Sequence, residues 1–324
     1  MNTSTVSGEA NRLAYFPISI FSVVMGMTGL SIAWLRAYGI FEPARLIGTS
    51  IAALATLLFI GLSCLYATKL IQHRDHVIAE WRHPVRVNFF PTFSISLLLL
   101  SVAWKDLAPG IAFLVWAFGA LIQLGFTFAI LSSWMYHSHY EIKHANPAWF
   151  IPVVGNLFVP INAPLFGYAE IGWFYFSIGF VFWVVLLTIV LYRVFFHVPI
   201  PARLLPTLFI LIAPPAVGFI AYCALTPGLD AFGRVLYYTA LFTTALLAVN
   251  VLRFARNGFF ISAWAYSFPL AAITIATFLI GGRSGIVLFS RLGLCLLCIL
   301  SALVILLSAK TINAARRHAI CVPE

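Results

Sequence analysis

The chain alternates long apolar runs with short polar breaks. Apolar runs lie near residues 14–35, 46–68, 87–104, 108–135, 148–168, 171–192, 204–226, 235–252, 259–280 and 292–309. Each meets or exceeds the ~18 residues that mark a helix able to span a bilayer. The pattern predicts an all-α integral membrane protein with ten transmembrane helices. The breaks are short and none resembles a soluble domain. The expected organisation is therefore a polar tail over 1–13, one transmembrane domain over 14–309 and a second polar tail over 310–324.

Composition agrees, with 62% of the 324 residues hydrophobic and 9% charged, against about 45–50% and 25% in soluble domains. The segment Met1 to Arg12 is polar and the run after it is long enough to span, so it reads as an uncleaved anchor rather than a signal peptide. Basic residues set the orientation. Arg12, Lys69, Arg74, Arg82, Arg86, Lys143, Arg193, Arg203, Arg253, Arg256, Lys310, Arg316 and Arg317 fall on one side of a ten-span chain. Arg36, Arg45, Lys105, Arg234, Arg283 and Arg291 fall on the other, a split of thirteen against six. The positive-inside rule then places both termini in the cytoplasm, and most of the net charge of +10 reads as this topology signal. Of the five cysteines, Cys295 and Cys298 form a CxxC inside an apolar run with no second pair nearby, so they read as small packing residues.

Prolines divide the spans into two kinds. Pro17, Pro91, Pro152, Pro160, Pro164, Pro206, Pro214, Pro215 and Pro269 fall in odd spans, while even spans hold only Pro109, in a first turn. A proline inside a helix removes a hydrogen bond and frees a carbonyl, which in hydrocarbon costs several kcal/mol unless protein or water satisfies it. Proline-bearing helices therefore belong inside the bundle and proline-free ones can face lipid. Phe16-Pro17, Phe90-Pro91, Phe150-Ile151-Pro152, Pro214-Pro215 and Phe268-Pro269 mark the five odd spans, a degenerate repeat of five helical hairpins. Arranged around an axis, the hairpins would gather five kinked inner helices at a central pore, with ordinary packing of kinked helices as the alternative.

No Asp, Glu, Lys or Arg lies within the core of any predicted span. Coupled carriers usually keep an ionisable group near the midplane and cation pores often use acidic rings, so a passive conduit fits better. Polar help would come from Ser19, Ser22, Thr92, Ser94, Asn156, Asn162, Ser267 and Thr274, each also suited to hydrogen bonding between helices. The histidines, among them His73, His76, His83, His137, His139 and His144, lie on or near the cytoplasmic side in HxxH and HxH spacings without the carboxylates that a di-iron site needs. Gly26 and Gly29 read as packing positions. No phosphate-binding loop or nucleophile motif is present, and no enzyme activity, cofactor, metal or nucleic-acid partner is expected.

Five stretches in order, FPISIFSVVMGMTGLSIAW (16–34), HPVRVNFF (83–90), NPAWFIPVVGN (146–156), IAPPA (212–216) and WAYSFPLAA (264–272), resemble the tellurite-resistance and C4-dicarboxylate transporter family. That family includes the slow-type anion channels of plant guard cells. The resemblance implies a homotrimer in which each protomer carries its own pore, five inner helices within five outer ones. It also implies that a phenylalanine on the ninth helix occludes the pore, a position that WAYSFPLAA gives to Phe268, and that Phe21 matches an aromatic on the first inner helix. Phe90, Phe150, Pro17, Pro91, Pro152, Pro214 and Pro269 complete the pore-lining and kink candidates.

The expected function is passive conduction of small monovalent anions, chloride or nitrate, through an aromatic gate in a bacterial inner membrane. The alternative is a carrier exporting C4-dicarboxylates such as malate, or oxyanions such as tellurite.

Overall fold

A computed structural model describes residues 12–137, 140–255 and 258–321, and those residues form helices and turns without a strand. We number the principal helices α1 (Phe21–Ala37), α2 (Ala44–Gln72), α3 (Thr92–Trp104), α4 (Pro109–Tyr136), α5 (Phe150–Val154), α6 (Ala169–Phe196), α7 (Ala213–Leu225), α8 (Ala231–Val249), α9 (Ser267–Ser284) and α10 (Val287–Arg316). Counted with their 3-10 leads, nine of these segments are long and apolar enough to cross a membrane among the described residues.

The remaining crossing differs from the kinked but continuous helix expected over 148–168. It is broken into a 3-10 turn at Pro147–Trp149, the five-residue α5, and a 3-10 stretch at Gly155–Ile161. Pro152 and Pro160 interrupt any longer α ladder. The 3-10 form rises about 2.0 Å per residue against 1.5 Å for α, so fifteen residues in this mixture reach about 28 Å, close to the ~30 Å hydrocarbon core. A segment too short as α-helix is long enough as it stands. The last helix also departs from expectation, running on to Arg316 rather than ending at 309.

Burial separates the two kinds of helix. In the windows around α1, α3, α7 and α9 the buried share is 67–83%, whereas around α2, α4, α6, α8 and α10 it is 17–33%. Each inner segment packs on the outer helix that follows it, giving five hairpins. The inner segments also pack on one another in a closed order: α1 on α3, α3 on the broken fifth, the fifth on α7, α7 on α9, and α9 back on α1. Lipid is as apolar as a protein core, so hydropathy cannot tell an outer helix which side to bury, and small residues make that choice. On α2, Gly48, Ala52 and Ala55 are buried at spacings of four and three, while Leu54, Leu57 and Ile60 face outward.

At the face carrying the termini, Arg12 Nη1 meets His318 Nδ1 at 2.5 Å, so the two ends of the described chain lie together. Nearby is a buried ion pair that the hydropathy pattern did not anticipate. Lys69 Nζ donates to Glu80 Oε2 at 2.8 Å and to the Phe16 carbonyl at 2.7 Å, and Tyr66 Oη donates to the same carboxylate at 2.9 Å. The pair is 1% and 7% exposed. Charges so buried persist only when paired and hydrogen-bonded, and here the pair ties α2 and the connecting helix Arg74–Arg82 to the start of the first inner segment.

Candidate functional site

Four of the inner segments carry prolines at junctions, at Pro17, Pro91, Pro214, Pro215 and Pro269, whereas Pro152, Pro160 and Pro206 lie inside short helical stretches. A 3-10 stretch leads into α1 (Ile18–Ile20), α3 (Arg86–Phe89), α7 (Ala202–Ile212) and α9 (Ile261–Tyr266). Pro17 is the N-cap of the first such stretch and Pro91 the N-cap of α3. Pro214 and Pro215 fall in the first turn of α7, and Pro269 is the third residue of α9. First-turn amides have no intrahelical partner, so a proline there costs little. The mid-helix kink expected at Pro269 is thus a change of helix type.

Carbonyls near these junctions find partners. Thr92 Oγ1 donates to the Phe89 carbonyl at 2.5 Å, Thr207 Oγ1 to Leu204 at 2.6 Å and Ser267 Oγ to Trp264 at 2.6 Å. Gln123 Nε2 and Thr127 Oγ1 of α4 both donate to the Pro152 carbonyl, at 2.8 and 2.9 Å. Most of the polar candidates are used in this way. Ser94 donates to the Pro91 carbonyl and Gln123 Oε1, Thr274 to Leu270, Asn156 Nδ2 to Thr127 Oγ1, and Asn162 Nδ2 to Ser101 Oγ. Ser19 and Ser22 alone among them stay half-exposed, at the start of α1.

Inside the ring lies a cavity of about 20 Å³, room for roughly one water. It is lined by Ile32 and Arg36 of α1, Leu99 and Val102 of α3, Phe158 and Ile161 of the broken fifth segment, Val217 and Ile220 of α7, and Phe268, Ala272 and Ile275 of α9. All five inner segments contribute and no outer helix does. The paired lining positions lie three or four residues apart on each segment, so each presents one stripe to a common axis.

Phe268 is 7% exposed. Its ring lies 5.3 Å from that of Phe158, tilted by 54°. On its other side is Gly29 of α1, where an added Cβ would stand 3.4 Å from Phe268 Cδ2 and 2.8 Å from Ala271 Cβ. The missing side chain lets α1 and α9 approach and leaves the Phe268 ring its place.

The structure brings together few of the other candidates. Phe21 is fully buried in an aromatic cluster with Phe59 and Tyr66 of α2 and Phe93 of α3, at ring separations of 5.9, 6.3 and 5.3 Å. Phe90 packs edge-on against Trp81 at 4.9 Å and beside Phe126 of α4. Phe150 is fully buried, and neither it nor Phe21, Phe90, Pro17, Pro91, Pro152, Pro214 or Pro269 lines the cavity. The prolines shape the segments that do.

Of the eleven lining residues only Phe268 was a site candidate from the sequence; Phe158 and Arg36 stand out among the other ten. Phe158 precedes Pro160 at the same spacing by which Phe150 precedes Pro152, and its packing across the ring, not that spacing, brings it to the cavity. Arg36 was sorted with the loops, but α1 continues through Ala37 and carries it to the cavity as the one charged lining side chain. Among the described residues no cluster of three His, Cys, Asp or Glu could hold a metal, and all five cysteines are free. His139 lies outside the described residues.

Comparison with known proteins gives the same architecture a lineage. The chain is 28% identical to S-type anion channel SLAH2 of Arabidopsis thaliana over 82% of its own length and 52% of the relative's. It is 26% identical to Guard cell S-type anion channel SLAC1 of the same plant, over 82% and 50%. Tellurite resistance protein TehA homolog of Haemophilus influenzae is 26% identical over 79% of each chain. The chain thus spans about half the length of these plant relatives and most of the bacterial one. Residues 15–312 match the family described as voltage-dependent anion channel. With ten apolar crossings, an inner ring of five and a match along nearly its whole length, the chain belongs to that family of membrane anion channels and transporters.

Proposed function

We propose that the protein is a passive channel for small monovalent anions, chloride and nitrate, with a pore in each protomer that Phe268 closes. The observation carrying this reading is the narrow cavity to which all five inner segments, and no outer helix, contribute, with the Phe268 ring in its wall. An apolar constriction with room for about one water is costly for a hydrated ion to enter and gates by dewetting. The ring edge carries a slight positive charge and so tolerates a passing anion better than a cation. No acidic side chain lines the cavity to attract cations. The protein assembles as a homotrimer in a bacterial inner membrane with both termini cytoplasmic, in keeping with the family resemblance and the basic-residue split.

The test is a measurement of reversal potentials for Phe268→Ala in voltage-clamped cells under chloride, nitrate and malate gradients. The channel reading expects currents that follow the chloride and nitrate gradients. A carrier of C4-dicarboxylates or of oxyanions such as tellurite is the competing reading, and the single guanidinium at the cavity speaks for it. That reading expects transport that saturates at modest substrate and is strictly coupled.

A further inference from the structure

Arg36 stands on the last turn of α1, one turn beyond Ile32, at the end of the ring opposite the termini. Ten of the eleven residues lining the cavity are apolar, so this guanidinium is its one polar side chain. Ala33 and Ala37 on either side are fully buried, yet Arg36 itself is exposed. On an inner helix that combination means it reaches water through the mouth of the ring.

The neighbouring charges are already engaged. Arg283, on the last turn of α9, donates to the carbonyls of Cys223, Thr226 and Gly228 at the end of α7. Asp106 attracts the Arg36 charge and Arg283 repels it, and the Asp106 carboxylate is held by Lys105 at 2.7 Å. Arg36, Arg283 and Lys105 thus stand on this side of the ring, with Asp106 between Lys105 and Arg36 and Asp230 near Arg283. Arg36 makes no hydrogen bond or ion pair with any described residue, which leaves its N–H groups for a ligand.

We infer that Arg36 is an anion-binding site at the mouth of the pore opposite the termini, and that it favours small planar oxyanions such as nitrate over chloride. A guanidinium offers a rigid fork of donors that pairs with two oxygens at once and is weakly hydrated, whereas an ammonium is a point charge without that geometry. The site concentrates anions directly beyond Phe268, so selection precedes the constriction. This inference rests on the channel reading.

The experiment compares currents from F268A, F268A/R36Q and F268A/R36K, alongside bromide-soaked crystals of the wild-type protein and of R36Q read by anomalous scattering. At 10 mM salt R36Q is expected to lower anion current about threefold, the Boltzmann factor for a unit charge met at about 7 Å in water. The difference should vanish at 1 M, where screening acts within about 3 Å. R36K should restore anion-over-cation selectivity but not the preference for nitrate. Equal currents and equal nitrate preference in F268A and F268A/R36Q at 10 mM would overturn the site while leaving the channel reading intact. If F268A carries no anion current, the channel reading fails and bromide decides the site alone: a peak at the guanidinium that is lost in R36Q upholds it, and no peak overturns it.

Discussion

Replacing Phe268 with alanine tests the gate by removing matter from one place in the ring. The ring is nearly buried, between Phe158 at 5.3 Å and the bare backbone of Gly29. Its loss opens on the order of 100 Å³, the scale of engineered large-to-small cavities and about three waters' share of liquid volume. The existing space is about 20 Å³, so the variant exchanges room for one water for room enough to wet the constriction. Dehydrating an ion costs several kcal/mol, and each ~1.4 kcal/mol removed from the barrier multiplies the rate tenfold. A barrier lowered by about 1.4–4 kcal/mol raises conductance roughly ten- to a thousandfold. The assay is macroscopic current in symmetrical chloride, normalised to surface protein, across the series F268L, F268V and F268A. Current should climb as the side chain shrinks. The same change costs at most about 3–5 kcal/mol of stability, with the lost ring pair accounting for about 0.5–1.5 of it, and thermal unfolding in detergent reads that separately. Equal current from all four proteins at matched expression would refute the argument.

Other perturbations address the frame around the ring. Gly29→Ala places a methyl 2.8 Å from Ala271 Cβ, well inside the 3.5–4.0 Å optimum, and is expected to cost about 1–3 kcal/mol in thermal unfolding. Lys69→Met strands the Glu80 carboxylate in a nearly closed site and is expected to cost about 3–5 kcal/mol, whereas the double change K69M/E80L recovers much of it; chemical denaturation of the pair measures this. Gln123→Leu removes one of the two α4 donors to the Pro152 carbonyl, leaving Thr127 and the longer contact from Asn156. It is expected to cost about 1–3 kcal/mol and to speed hydrogen exchange in the broken fifth segment ahead of α1 or α3.

The division into five inner and five outer crossings was legible because proline is so poorly tolerated beside lipid: Pro17, Pro91, Pro152, Pro214 and Pro269 name the inner segments without any structure. Their exact consequence was not legible. Hydropathy is blind to whether backbone turns at 3.0 or 3.6 residues, so the 3-10 leads and the broken fifth crossing emerge only from the fold. Aromatic residues beside prolines were reasonable lining candidates, yet Phe21 and Phe90 turn toward outer-helix rings, a choice made by packing between hairpins rather than by any local pattern. Phe158 and Phe150 share one local pattern, each two residues before a proline, yet only Phe158 reaches the cavity, so that pattern could not choose between them. Arg36 was hidden by a boundary, since apolar runs end before helices do.

The closed order of inner segments has a consequence for how the molecule is made. Its last joint is between α1 and α9, which are the first and the last inner helices of the chain and which meet where Gly26 and Gly29 permit a close approach. A nascent chain is released from its amino-terminal end, so the assembly remains an open arc until the final hairpin is inserted. Phe268 belongs to that hairpin. The element that seals the annulus therefore also carries Phe268, so on the proposed channel reading the ring and its gate arrive in the same step.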